Sequence, residues 1–296
     1  MSENGIGWHG EDRSALAPAD PLRWLPGTSL AIGADGAASM ELEPLAESGI
    51  RCIEIAWRNH VFNMLEPDNQ RLIEDLVSKA KRLGIAVWTL HLPYGPEWDV
   101  STLDAGMRQE VVARHVQLLE LAQRWGIGMA VLHPSWEPIR PEEREARLAA
   151  CRHGLAALAE AAEGRRVRIA VECLPRTCLG NTSAEIRDLI SAHERLGVCV
   201  DVNHLVQEAP EQFIRELGSR IVTVHMSDND GVDERHWLPG QGVIRWQAVI
   251  AALAAQGYGG PFMFEARPVT PMQLAQCWRT LLDGYRGRHQ ERSIDR

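Results

Sequence analysis

Four side chains able to hold a divalent cation finish four consecutive apolar runs: Glu172 in VECLP, Asp201 in VDVNH, His225 in VHMSD and Glu265 in FMFEAR. Ionisable groups within such runs are costly to bury unless they are paired or bound to a cation. Three more imidazoles hold comparable places: His91 in TLHLPY, His133 in VLHPSW, and His204 three residues after Asp201. A single one of these is often a satisfied core residue; recurrence at the end of run after run is not explained by packing. Two Glu, one Asp and one His form a hard, oxygen-rich donor set. It suits one divalent ion, Mn²⁺ first, with Mg²⁺, Co²⁺ or Zn²⁺ also accommodated. A cation held there would polarise a carbonyl and a neighbouring hydroxyl and acidify the proton between them. Glu172 and Glu265, one on each face, would then remove and return that proton.

Those residues need a scaffold that brings strand ends to one point. Eight short runs rich in β-branched residues read as strands: 29–33, 50–57, 85–92, 129–133, 167–174, 198–202, 220–226 and 261–266. Between them lie stretches of helical period, such as 108–125 and 144–162, with apolar residues three and four apart. Gly84, Gly126, Gly164, Gly197, Gly218 and Gly257 fall where helices should end. The repeat predicts a single-domain α/β protein, a (β/α)₈ TIM barrel over 29–296 with an N-terminal extension over 1–28. In that fold chemistry sits at the C-terminal strand ends, which is where the listed residues fall. An open doubly wound sheet is disfavoured, because GADGA after the first strand is a degenerate phosphate turn. Glu54, inside the second run, faces either the cavity or an ion pair in the barrel interior.

Composition narrows the function. The 296 residues carry a net charge of −9, and Lys79 and Lys81 are the sole lysines. This disfavours a nucleic-acid partner and leaves almost no Schiff-base lysine. Six cysteines without a CxxC pair read as reduced buried thiols of a cytoplasmic protein. The N-terminus lacks a signal-peptide pattern, and no apolar run is long enough to span a membrane. Trp57, Trp88, Trp98, Trp136 and Trp237 fall in or after strands, where indoles suit stacking on a sugar ring. Trp57 is taken as substrate-binding. His60, His115, His153 and His193 read as surface residues.

The motifs together resemble the xylose isomerase-like barrel superfamily, in particular its sugar phosphate isomerase/epimerase group. They are HLPY, VLHPS, VECLP, DVNH, VHMSDND, LPGQGVIRW and FMFEAR, and they cover about residues 29–285. The resemblance to ketose 3-epimerases implies one metal on Glu172, Asp201, His225 and Glu265, with the two glutamates as acid and base. It assigns His204, with His91, His133 and His236 (or Arg235 in the same loop), to a sugar-like substrate, and Pro239, Gly240 and Gly242 to the loop before the seventh helix. No phosphate loop is apparent, which points to a free polyol-like or keto-acid substrate. Barrels of this group commonly form homo-oligomers. Endonuclease IV shares the fold and binds three zinc ions. Its ligand positions match His91, His133, Glu172, Asp201, His204, His225 and Glu265. Its Asp-x-His pair is met here by the stretch Asp233 to His236, read as one residue longer. Further alternatives are an inosose dehydratase-type lyase, a hydroxypyruvate-type isomerase and a barrel that binds without catalysis.

Overall fold

A computed structural model describes residues 17–58 and 61–294. All eight expected strands are present: β1 (Pro26–Ile32), β2 (Cys52–Trp57), β3 (Ala86–His91), β4 (Met129–Leu132), β5 (Arg168–Glu172), β6 (Gly197–Asp201), β7 (Ile221–His225) and β8 (Phe262–Phe264). β1 to β7 pair in parallel, each with its sequence neighbour, and β8 pairs in parallel with β1. Met226 closes the ring: its N–H donates to Met263 O (2.8 Å) and its carbonyl accepts from Glu265 N–H (3.2 Å). Among the described residues the α-helices are α1 (Leu42–Ser48), α2 (Pro67–Arg82), α3 (Ala105–Arg124), α4 (Arg144–Glu163), α5 (Ser183–Ile190), α6 (Pro210–Leu217), α7 (Trp246–Ala255) and α8 (Pro271–Ile294). No described helix is long and apolar enough to cross a membrane.

Local chemistry sets the boundaries. Asp104 caps α3 by accepting Met107 N–H, and Thr182 caps α5 by accepting Glu185 N–H. Gly84, Gly126 and Gly257 take the left-handed conformation expected after a helix. Gly164 does not; Arg166 adopts the positive φ two residues later. Gly197 lies inside β6, where a Cβ would meet Val222 Cγ2 at 2.5 Å, so it serves close packing. β1 starts three residues before the expected boundary, and Trp24 ahead of it is already buried, its indole donating to Tyr258 O.

The outer core is filled from each helix: Leu45, Ile73, Leu118, Leu155, Ile186, Phe213, Val249 and Leu274 are all buried in it. Side chains of that size contribute about 1.5–3 kcal/mol each on burial. Alternation along the strands decides what enters the barrel. Met129, Val131, Ala170 and Cys199 form a separate inner cluster. Two residues further along the same inner rows stand His133, Glu172 and Asp201, and Thr223 is likewise followed by His225. The strand period therefore delivers these groups to the C-terminal mouth.

Candidate metal centre and active site

Glu172 is the hub. Its Oε1 lies 2.8 Å from His225 Nδ1; its Oε2 lies 3.1 Å from His91 Nε2 and 3.0 Å from His133 Nε2. Glu265 Oε2 stands 3.2 Å from the same His225 Nδ1. Asp201 completes the group, and ligand atoms of Glu172, Asp201, His225 and Glu265 all lie within 4.8 Å of one another.

The local sequence explains how Asp201 and His204 share the site. Asp201 Oδ1 accepts Asn203 N–H at 2.8 Å, which starts a tight turn over Val202–His204. The turn swings His204 back, with Nε2 3.3 Å from Asp201 Oδ2 and 2.9 Å from Glu234 Oε2. The imidazole is directed at Glu234, and Asp201 Oδ2 is buried without a hydrogen bond. An orphaned buried carboxylate oxygen among two further carboxylates is a fit for a divalent cation.

The electrostatics agree. Burial pushes Asp201 up to about 8 against the pull of His204. Burial also opposes ionisation of Glu172, yet His225 and His133 hold it well below the usual carboxylate range. Glu265 behaves like Glu172: desolvation is overcome by His225. Burial disfavours charge on His225, but Cys199, Glu54, Glu172 and Glu265 lift it well above the usual imidazole value. Among several carboxylates His225 is thus asked to carry a single positive charge, beside the raised imidazoles of His91 and His204. A divalent ion would supply twice that charge and leave His225 neutral, as a ligand must be.

Glu54, open between two roles in the sequence, is fully buried behind His225. Its Oε2 accepts from His225 Nε2 (3.0 Å) and Thr89 Oγ1 (2.8 Å), and its Oε1 from Ser29 Oγ (2.9 Å). A register shift between Ile53 and Glu54 brings Glu54 level with Thr89. With Nε2–H donated to Glu54, Nδ1 of His225 is the nitrogen left for a metal.

A second group was only partly legible. His204, Glu234 and His236 also bring ligand atoms within 4.8 Å of one another. The residue that joins His204 is Glu234, not Asp233, so the pair is Glu234-x-His236 and the one-residue excess read from the sequence disappears. Asp233 instead accepts from Arg176, whose guanidinium also binds Glu137 and Glu234 and ties three loops together. His236, at φ 52°, bonds Glu265 O through Nδ1 at 3.0 Å.

A cavity of about 340 Å³ opens beside these groups and is lined by Ser29, Trp57, His91, Tyr94 and Glu265 among others. Its size is at the lower end of small-molecule pockets, roughly 300–1,000 Å³. Trp57 is buried and its Nε1 has no hydrogen-bond partner. Tyr94, which the sequence reading passed over, stacks on His133 at 4.5 Å and near Trp136 at 6.0 Å. Trp98 packs with His115 instead. His115 is itself fully buried, contrary to the surface placement, with Nε2 3.2 Å from Trp98 O. His153 is exposed and His193 half-buried, while His60 lies outside the described residues. All six cysteines are buried and unpaired.

A profile of the family described as xylose isomerase-like TIM barrel matches residues 42–283. The chain belongs to the xylose isomerase-like TIM barrel family. Within it, a D-tagatose 3-epimerase-like protein superposes with a TM-score of 0.75 at 23% identity, covering 90% of this chain and 98% of that one. An L-ribulose 3-epimerase gives 0.72 at 20%, covering 90% and 97%. At such identities the likeness establishes the fold. The uncharacterized protein y4fM of Sinorhizobium fredii is 34% identical over 112 residues. That stretch spans 36% of this chain and only 35% of the relative. Asp228 anchors the loop into α7 by accepting from Gly240 N–H, Ile244 N–H and Trp246 Nε1. Pro239, Gly240 and Gly242 lie in that loop, as expected.

Proposed function

We propose that the protein is a metal-dependent isomerase or epimerase of a sugar-like substrate, acting by proton transfer through an enediolate. The observation that carries this reading is the convergence of Glu172, Asp201, His225 and Glu265 within 4.8 Å beside a substrate-sized cavity. That one neighbour in fold is named an L-ribulose 3-epimerase and another a D-tagatose 3-epimerase-like protein is consistent with it. Those four residues would hold the cation, which supplies polarisation of a carbonyl and its adjacent hydroxyl.

Glu265 takes the proton. Its side chain lines the cavity and is 19% exposed, whereas that of Glu172 is 1% exposed and wrapped by imidazoles. Glu172 acts from the other side through His91, which bonds its Oε2 and also lines the cavity. A proton returned by this pair to the opposite face of the carbon would invert it. His204 and His236 border the metal group, and Trp57 with Tyr94 forms the apolar wall for a ring.

The test is solvent exchange with Mn²⁺-loaded protein and a panel of ketoses in deuterated water. We expect deuterium at the carbon next to the carbonyl and about one tightly bound metal per chain. No incorporation across the panel overturns the reading.

A second reading is favoured by the His204–Glu234–His236 group and by the pairing of His91 and His133 on one oxygen of Glu172. These donors would suit a trinuclear phosphodiesterase of the endonuclease IV type. Three zinc ions per chain with cleavage of DNA at an abasic site would select it. The net charge of −9 and two lysines weigh against a DNA partner.

A further inference from the structure

We propose that the cavity beside Glu265 takes a substrate bearing an anionic group, a carboxylate or a phosphate, and that Arg58 and Arg267 hold that group. The inference deepens the isomerase reading and rests on it for the identity of the reacting end.

The mouth of the barrel is divided by charge. The acidic donors finish β5, β6 and β8, with Glu234 in the loop after β7. The cavity extends the other way, over the ends of β8, β1 and β2, and its lining includes Arg58 and Arg267. Arg58 follows the last residue of β2 directly, and Arg267 lies three residues after the last residue of β8. Because β1 pairs with both strands, the two arginines flank it.

Neither guanidinium is consumed by the fold. Arg58 is exposed; its carbonyl accepts from Val61 N–H and Phe62 N–H, and its guanidinium makes no hydrogen bond or ion pair among the described residues. The backbone N–H of Arg267 is fixed on His236 O at 2.9 Å. Its guanidinium has loose contacts only, 3.4 Å to His236 Nε2 and 3.9 Å to Glu265 Oε1. In the loop after β5, by contrast, Arg176 is satisfied by three acidic residues. Two underused planar donors at one end of a cavity, with metal-ligating carboxylates at the other, match a bifunctional ligand. Its carbonyl end meets the metal group and its anion meets the arginines, which bind carboxylate and phosphate bidentately.

Calorimetry on the full Mn²⁺-loaded chain tests this with three non-reacting probes: glycerol, glycerate and glycerol 3-phosphate. The anionic probes should bind at least about tenfold tighter than glycerol. Arg58→Gln and Arg267→Gln should each remove about tenfold of that advantage and leave glycerol unchanged, and Arg58→Lys should recover part of it. Whichever anion binds tighter identifies the group as carboxylate or phosphate. If neither anion outbinds glycerol, the proposal fails. It also fails if the anions bind tightly but both Gln variants leave them unaffected, since they then sit on the metal alone. Because none of the probes turns over, these outcomes are separate from the deuterium result that judges the isomerase reading. Circular dichroism of Arg58→Gln, at an exposed unpaired position, checks that the fold is intact.

Discussion

Glu54→Gln is the sharpest test of the metal centre, because it alters charge behind His225 with almost no change in shape. Glu54 has both oxygens engaged: Ser29 on Oε1, and Thr89 with His225 on Oε2. A glutamine keeps the volume and can keep its oxygen toward Thr89 and His225. Its amide then faces Ser29, whose hydroxyl can rotate to accept. The lost element is the negative charge that fixes the His225 tautomer and makes Nδ1 a stronger donor. Partners of this kind are worth 10–100-fold in metal affinity, about 1.4–2.7 kcal/mol. Competitive titration of Mn²⁺ against a chelating dye should therefore show binding weakened by that factor, with an unchanged circular dichroism spectrum. An affinity within about twofold of the parent, in a folded variant, would refute the assignment of His225 Nδ1 to the cation.

Glu265→Gln and Glu172→Gln should each lower solvent deuterium incorporation by about 10²–10⁴-fold, the range of a general acid or base; retention of parental exchange by either removes it from the mechanism. Asp201→Asn should raise the melting temperature of chelator-treated protein at neutral pH and abolish the gain produced by Mn²⁺. The folded-state value near 8 lies above the unfolded one, so ionised Asp201 costs stability increasingly as pH rises from about 4 to 8, and asparagine removes that slope. His115, pushed down to about 4 chiefly by burial, is the opposite case. Its contribution is complete above the unfolded value near 6.5 and falls with pH, so acidifying from 7.5 to 5 should remove about 2 kcal/mol of it, read in urea unfolding as the difference between the parent and His115→Phe, apart from the opposite change at Asp201. His115→Phe should lose that dependence. Gly242→Ala would drive a Cβ into the Asn229 carbonyl and the Asp228 carboxylate, and urea titration should show a loss of about 3 kcal/mol.

The barrel was legible because each strand is a short apolar run bounded by a helix of clear period, and those signals are local. The convergence of Glu172, Asp201, His225 and Glu265 was legible for a related reason. A charged group that ends an apolar strand is visible as a violation of pattern, and the strand period fixes which face it takes. What was obscured depends on contacts across the chain. Glu54 acquires its role from Thr89 and His225, and Glu234 from His204, which lies thirty residues earlier. His115 sits on a helix whose inward face includes it, and a lone histidine at helical spacing carries no mark of its depth. Gly164 and Gly197 look alike in sequence, yet one ends a helix in ordinary αR conformation and the other admits Val222 beside β6.

The charge balance of the site ties these findings together. Glu54, Glu172 and Asp201 are buried, Glu265 is largely so, and Glu234 leans on His204. Hydrogen bonds alone do not repay that many carboxylates in one region, as the orphaned oxygen of Asp201 attests. The imidazoles relieve part of it: His204 is raised to about 10 and His91 to about 9, against burial, by the acidic groups beside them. A fold selected for stability alone would replace such a cluster with apolar side chains of similar volume. Its presence at the end of the barrel where the cavity opens argues that the negative charge serves to bind a cation. The same reasoning gives meaning to the two arginines across the cavity. In a site this acidic an anionic ligand would be repelled unless cations were provided for it, and Arg58 and Arg267 stand where that repulsion must be offset.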